Sequence, residues 1–155
     1  MQTGLTGDVV AILGAAGGIG AAIARAFAAE GCPLALVDRR DAVLALAAEV
    51  REAHGSQVVA QVADATDYEA VRNVAATVAA ELGACHHVVV SIGVASGKLG
   101  MPFWSLDPAD WEAVVRANLM SCVHASGVHR TPVPRSAAPV SSGSSTENTI
   151  RRAAM

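Results

Sequence analysis

At 155 residues the chain has the length of one domain, and a chain of that size buries roughly two thirds of its unfolded surface. Much of the 52% hydrophobic share is alanine, no apolar run approaches the roughly 18 residues of a membrane span, and no basic segment followed by an apolar one opens the chain, so a soluble, cytoplasmic protein with no membrane partner is expected. A net charge of −3 gives no electrostatic case for nucleic acid, and three widely spaced cysteines, Cys32, Cys85 and Cys122, read as reduced thiols in or beside core elements.

In chain order, an apolar run from Val9 to Leu13 meets a turn holding Gly14, Gly17, Gly18 and Gly20, and an alanine-rich helical pattern from Gly18 to Glu30 follows. Ile19, Ile23 and Phe27 are its predicted buried stripe and Gly31 ends it. Strand, glycine loop and helix in that order let the backbone approach a pyrophosphate, while the unpaired N–H groups of the new helix face the anion. A second apolar run, Cys32 to Val37, ends in Asp38, whose carboxylate can accept hydrogen bonds from both hydroxyls of an adenosine ribose.

Asp41 is the predicted cap of a second helix with Val43, Leu46, Ala47 and Val50 facing the core, and Gly55 terminates it. Val58 to Val62 is a third strand, with Asp64 at its C-terminal end. Thr66 to Glu69 fits a capping box, and Val71, Val74, Val78 and Leu82 have the spacing of a helix closed by Gly83. The valine run His87 to Ser91 suits a strand covered on both faces. A loop with Gly93, Gly97 and Gly100 precedes Pro102-Phe103-Trp104, and Asp107-Pro108-Ala109-Asp110 starts a last helix on which Trp111, Val115, Asn118 or Leu119, and Cys122 share a face. Trp104 and Trp111 read as packing beside that helix.

Beyond about Ser126 the chain changes character. Residues 127–155 hold Pro132, Pro134, Pro139, five serines, and Arg130, Arg135, Arg151 and Arg152 against Glu147. Such a composition does not offset the entropy of ordering, so this tail is expected to be disordered, the alternative being an extended arm on a partner subunit. The domain boundary is placed at 126/127.

Gly14, Gly18 and Gly20 spell G-x-x-x-G-x-G, and with the acid at the next strand end residues 1 to about 126 resemble the first half of a short-chain dehydrogenase/reductase. The resemblance implies an α/β fold, a Rossmann-like doubly wound parallel sheet of about four strands with flanking helices, truncated at the C-terminal side. It implies hydride transfer between NAD(P)(H) and an alcohol or carbonyl carbon. It assigns cofactor binding to Gly14, Gly18, Ile19, Gly20, Asp38, Arg39, Asp64 and Gly93, with Asp64 beside the adenine. Asp38 matches the acid that favours NAD, while Arg39 and Arg40 leave NADP open.

Departures from the family pattern are specific. Leu13 replaces a usual Thr, and Val90 and Ser91 replace two asparagines. Asn118 matches the helix asparagine that helps hold a water in the proton relay and is the only catalytic-type residue left. The family's Ser and Tyr-x-x-x-Lys are missing: the only tyrosine, Tyr68, is followed four residues later by Arg72, and the only lysine is Lys98. The chain is therefore expected to be inactive alone and to bind no substrate productively. Alternatives are a non-catalytic dinucleotide-binding or interaction module, or a truncated or frameshifted fragment without its own function. Oligomerisation is expected, if at all, through the exposed sheet edge or the last helix. Cys85-His86-His87 with Cys122 or His124 fits no metal-ligand spacing, so no metal is expected.

Overall fold

A computed structural model describes residues 3–98 and 100–128. Four strands, β1 (Val10–Leu13), β2 (Leu34–Asp38), β3 (Val58–Val62) and β4 (His87–Val90), form one parallel sheet in the order β3-β2-β1-β4. The chain winds outward from β1 to β3 and then returns to lay β4 on the other side of β1. That reversal makes a switch point at the C-terminal ends of β1 and β4, where open parallel sheets bind ligands.

Alternation along the strands divides the core. Val10, Ile12, Leu34 and Leu36 face α1 (Gly18–Ala29) and α2 (Ala42–His54), and Ala11, Leu13, Ala35 and Val37 face α3 (Tyr68–Glu81) and the last helix. Both faces of β1 and β2 are covered, which is why these strands read as unbroken apolar runs. Ile12 stands opposite Leu36 on one side and Val89 on the other. Val43, Leu46, Ala47 and Val50 of α2, and Val71, Val74 and Val78 of α3, are buried as their spacing predicts.

Several expectations need correction. The stripe predicted for α1 is displaced by one residue: Gly20, Ala24 and Ala28 are buried, Ile23 and Phe27 are partly buried, and Ile19 is 74% exposed. Small residues let the helix approach the sheet more closely than isoleucine would. The cap of α3 is Asp67, not Thr66; its carboxylate accepts the N–H groups of Glu69 at 2.9 Å and Ala70 at 3.3 Å. Glu69 pairs instead with Arg72. Asp41 precedes α2 in helical conformation, so its side chain caps nothing. Gly55 does end α2, in the left-handed conformation.

β4 stops at Val90 and is only half-buried, not covered on both faces, because among the described residues it is the outer strand of the sheet. The last helix is a continuous run of α4 (Pro108–Val115), a π-helical stretch (Arg116–Met120) and α5 (Ser121–Ala125). Its start is as predicted, with Pro108 in the first turn and the Asp107 N–H donating to the Asp110 carboxylate at 2.9 Å. The predicted core face is not. Ser121 and Ala125 are buried, whereas Trp111, Val115, Leu119 and Cys122 are exposed. The wide π turn shifts the phase between α4 and α5, so the face extrapolated from α4 is not the one that α5 buries. Trp104 is likewise exposed, and Phe103 packs edge-on to it and stacks on Trp111.

Past the boundary read from composition, the Gly127 N–H donates to the His124 carbonyl and Val128 is buried; the remainder of the tail, residues 129–155, lies outside the described residues. Among the described residues no helix is long and apolar enough to cross a membrane.

The two helix starts make a direct contrast. Asp67→Ala should destabilise the protein by about 1 kcal/mol in urea unfolding, whereas Asp41→Ala should stay within about 0.5 kcal/mol. Equal losses at both positions would contradict the assignment of the caps.

Candidate functional site

The site is built at the switch point. The N–H groups of Gly14 and Ala15 donate to the Val37 carbonyl at 2.8 and 3.0 Å, drawing the turn after β1 against the end of β2. Gly14 has φ +83°, and a Cβ there would lie 2.5 Å from the Ser91 carbonyl oxygen beyond β4. Only glycine meets both demands. Gly20 is held by the protein too, since a Cβ would collide with the Gly14 carbonyl oxygen.

Gly18 and Gly93 differ. A Cβ at either would meet nothing within 4 Å. The fold itself does not need glycine there. Gly18 is the first residue of α1, whose N-terminus has no side-chain cap and no acid in its first turn. The positive end of the helix dipole there is thus not balanced by any side chain of the first turn.

Asp38, at the end of β2, is 6% exposed. Its Oδ2 accepts the Ala16 N–H at 2.9 Å and Arg40 Nη2 at 3.4 Å; its Oδ1 accepts the Arg40 N–H at 3.0 Å and Nε at 3.2 Å. Burial alone would raise its pKa. The hydrogen bonds from Arg40 and Ala16 and the Arg40 charge outweigh that and hold the carboxyl below its ordinary value. Asp64, beyond β3, accepts the Thr66 N–H and hydroxyl at 2.8 Å each, and these bonds, with the charges of Arg39 and Arg116, lower its pKa.

Gly14, Gly17, Asp38, Asp64, Gly93 and Arg116 line one cleft of about 520 Å³, and Gly18, Ile19 and Gly20 are not on its wall. Arg39 and Arg40 are on it. Gly18 and Ile19 lie in the first turn of α1, Ile19 exposed, and Gly20 is buried beneath the turn. Asn118 lies in the π stretch, where its Oδ1 accepts the Val94 N–H at 2.8 Å and its Nδ2 donates to the Val94 carbonyl at 2.9 Å. It pins the loop that follows Gly93 to the last helix.

Three contributors are not singled out by the sequence pattern. Thr66 fits a cap by its spacing from Glu69, although Asp64-Ala65-Thr66 also has the spacing of an Asx turn. Ala16 contributes only its backbone. Arg116 reaches the cleft through the phase of the π stretch and carries no local signal.

Other candidates fall elsewhere. Lys98 donates to Asp107 at 3.2 Å and Asp110 at 2.6 Å, latching the loop to the start of α4. Tyr68 packs against His124, whose Nδ1 lies 3.0 Å from the Ala65 carbonyl oxygen and fastens the last helix to the loop after β3. His86 Nδ1 accepts the Val9 N–H at 2.9 Å, and His87 pairs with Asp8. Among the described residues no group of three or more His, Cys, Asp or Glu side chains is placed to hold a metal. A shallow hollow between Leu5, Phe27 and Val89 lies at the opposite edge of the sheet, and its two imidazoles, His86 and His87, already have these partners.

The sequence pattern of the family described as short chain dehydrogenase matches residues 8–131. The chain is 40% identical over 124 residues to 1-deoxy-11-beta-hydroxypentalenate dehydrogenase of Streptomyces avermitilis, covering 80% of this chain and 44% of that protein. L-sorbose reductase of Gluconobacter frateurii, solved with NADPH and L-sorbose, superposes with a TM-score of 0.75 at 27% identity, over 83% of this chain and 48% of that one. NAD+-bound xylitol dehydrogenase superposes with a TM-score of 0.70 at 27% identity, over 81% and 47%. The chain thus spans less than half the length of each.

The two classes of glycine are separable by mutation. Gly18→Ala should leave the melting temperature unchanged or slightly raised, because it relieves a glycine within a helix, yet weaken binding of a dinucleotide. Gly20→Ala should lower stability by about 1–3 kcal/mol through overpacking. A stability loss at Gly18 equal to that at Gly20 would remove the distinction.

Proposed function

The chain belongs to the short-chain dehydrogenase family, and from that membership we propose that its cleft binds the ADP-ribose portion of a nicotinamide dinucleotide. The observation that carries this reading is Gly18, kept free of a side chain where no protein atom requires it, at the uncapped start of α1. The pyrophosphate lies against that helix N-terminus, the ribose hydroxyls donate to Asp38, and the adenine lies beside Asp64 and Thr66. Gly14 and Gly20 shape the turn, Gly93 leaves the far wall open, and Ile19 covers the rim.

NAD is the favoured cofactor. A 2′-phosphate about 4 Å from the Asp38 carboxylate is repelled by roughly 1–4 kcal/mol, depending on screening. Arg39 and Arg40 on the same wall keep NADP within reach.

Family chemistry is hydride transfer to or from an alcohol or carbonyl carbon. It needs an acid/base group with a pKa brought toward neutrality, and a tyrosine near its ordinary value of about 10 is poorly suited without a neighbouring cation. Tyr68 and Lys98 are the only tyrosine and lysine in the 155 residues, and both are engaged away from the cleft. Asn118 is retained as a relay-type residue that positions the loop at Val94. The 155-residue chain by itself therefore binds cofactor without turning over an alcohol or carbonyl substrate. Calorimetric titration with NAD+ should give binding that Asp38→Ala abolishes, with no change in absorbance at the reduced nicotinamide band when alcohols are added. Absence of binding at millimolar NAD+, or turnover by the pure chain, would overturn the respective half of this reading.

A second reading concerns assembly. Trp111, Val115 and Leu119 form an exposed apolar stripe, and such stripes mark contact surfaces. We read that face, or the open edge of β4, as the contact of a homo-oligomer. Sedimentation should show a dimer at tens of micromolar that Leu119→Glu returns to monomer; a monomer throughout would contradict it.

A further inference from the structure

We propose that Arg40 is a built-in competitor for the ribose site: its guanidinium holds the Asp38 carboxylate until an adenosine ribose displaces it. This rests on the reading of the cleft as an ADP-ribose site and adds a residue that sets how tightly, and with what selectivity, that site works.

A carboxylate offers about four lone-pair positions. Asp38 has four contacts, so its accepting capacity is filled. Two come from backbone N–H groups, Ala16 at 2.9 Å and Arg40 at 3.0 Å, and belong to the turns that shape the site. The other two, at 3.2 and 3.4 Å, come from the Arg40 guanidinium. These are the longest of the four and involve a side chain 56% exposed. They are the contacts that can leave. A ribose presents two O–H donors, the same number that the guanidinium withdraws.

Arg40 also reaches across the entrance. Its Nη2 lies 4.0 Å from the position a Cβ at Gly17 would take, so the guanidinium spans from the end of β2 to the glycine turn. After displacement it remains tethered at the cleft wall by its own backbone bond to Asp38.

The two cofactors then face different balances. A 2′-hydroxyl cofactor must break the ion pair and gains nothing from the released guanidinium. A 2′-phosphate breaks the same pair but meets the freed cation, which offsets repulsion by Asp38. Arg40 therefore weakens NAD binding, supports NADP binding, and narrows the difference between them.

Removing Arg40 also removes a charge that attracts any anionic ligand, so a neutral probe is needed beside the dinucleotides. Adenosine carries the ribose diol without phosphate. Calorimetry or NMR titration of adenosine, NAD+ and NADP+ into the wild-type chain and Arg40→Ala tests the proposal. Adenosine should bind Arg40→Ala about two- to five-fold more tightly, the range that an exposed ion pair supports, and NADP+ should bind it more weakly. Added salt should shrink the adenosine difference by screening the pair in the wild type. Asp38→Ala, which removes the acceptor for the ribose hydroxyls, should abolish adenosine binding whether Arg40 is present or replaced. Adenosine affinity that is unchanged or weaker in Arg40→Ala would overturn the proposal while leaving the ADP-ribose site standing. Failure of both proteins to bind NAD+ and adenosine at millimolar concentration, with thermal melts intact, would overturn the site itself and this inference with it. Arg40→Gln, which keeps the length without the charge, repeats the adenosine test if Arg40→Ala does not fold.

Discussion

The C-terminal edge of the sheet depends on the absence of one carbon atom at Gly14. Its N–H is tied to Val37 at the end of β2 while its α-carbon lies against the Ser91 carbonyl beyond β4. Three strand ends converge there, and a side chain would drive two of them apart. β1 ends at Leu13 and α1 begins at Gly18, so only this tight turn separates strand from helix. The uncapped helix start is thereby brought to the same edge as Asp38 and Asp64.

Much of this is legible in the residues because the signals are local. Apolar runs locate the four strands, with Gln61 interrupting that of β3, and Asp38 and Asp64 stand at strand ends as their positions in the sequence imply. What the sequence pattern misplaces is decided by packing distance or phase. Ile19 has the spacing of a core residue, but the close approach of Ala24 and Ala28 to the sheet turns it outward. Trp111 and Leu119 share a face with Val115, yet the π stretch hands burial to Ser121 and Ala125. Thr66 and Asp67 are both competent caps, and the competing turn at Asp64 decides between them.

Electrostatics at the site follow from the same geometry. Asp38 is buried but ionised because fixed N–H donors and the Arg40 guanidinium favour its charged form. A depressed carboxyl contributes stability that is complete above its unfolded value of about 3.9 and is lost as the pH falls below that toward the folded value. At neutral pH the turn is therefore held by a full negative charge, the form that a ribose diol requires as an acceptor. Of the donors that stabilise the carboxylate, the backbone N–H groups of Ala16 and Arg40 order the turn, and the Arg40 guanidinium occupies the positions that the proposed ribose would take.

An amide NMR titration of the chain with ADP-ribose tests the cleft most directly. Shifts should concentrate at Gly14 to Gly20, at Asp38 to Arg40, and at Asp64 to Thr66, with His86 and His87 at the opposite edge unmoved. Shifts centred on the edge near His86, or none at millimolar ligand in a folded sample, would contradict an ADP-ribose site at the glycine turn.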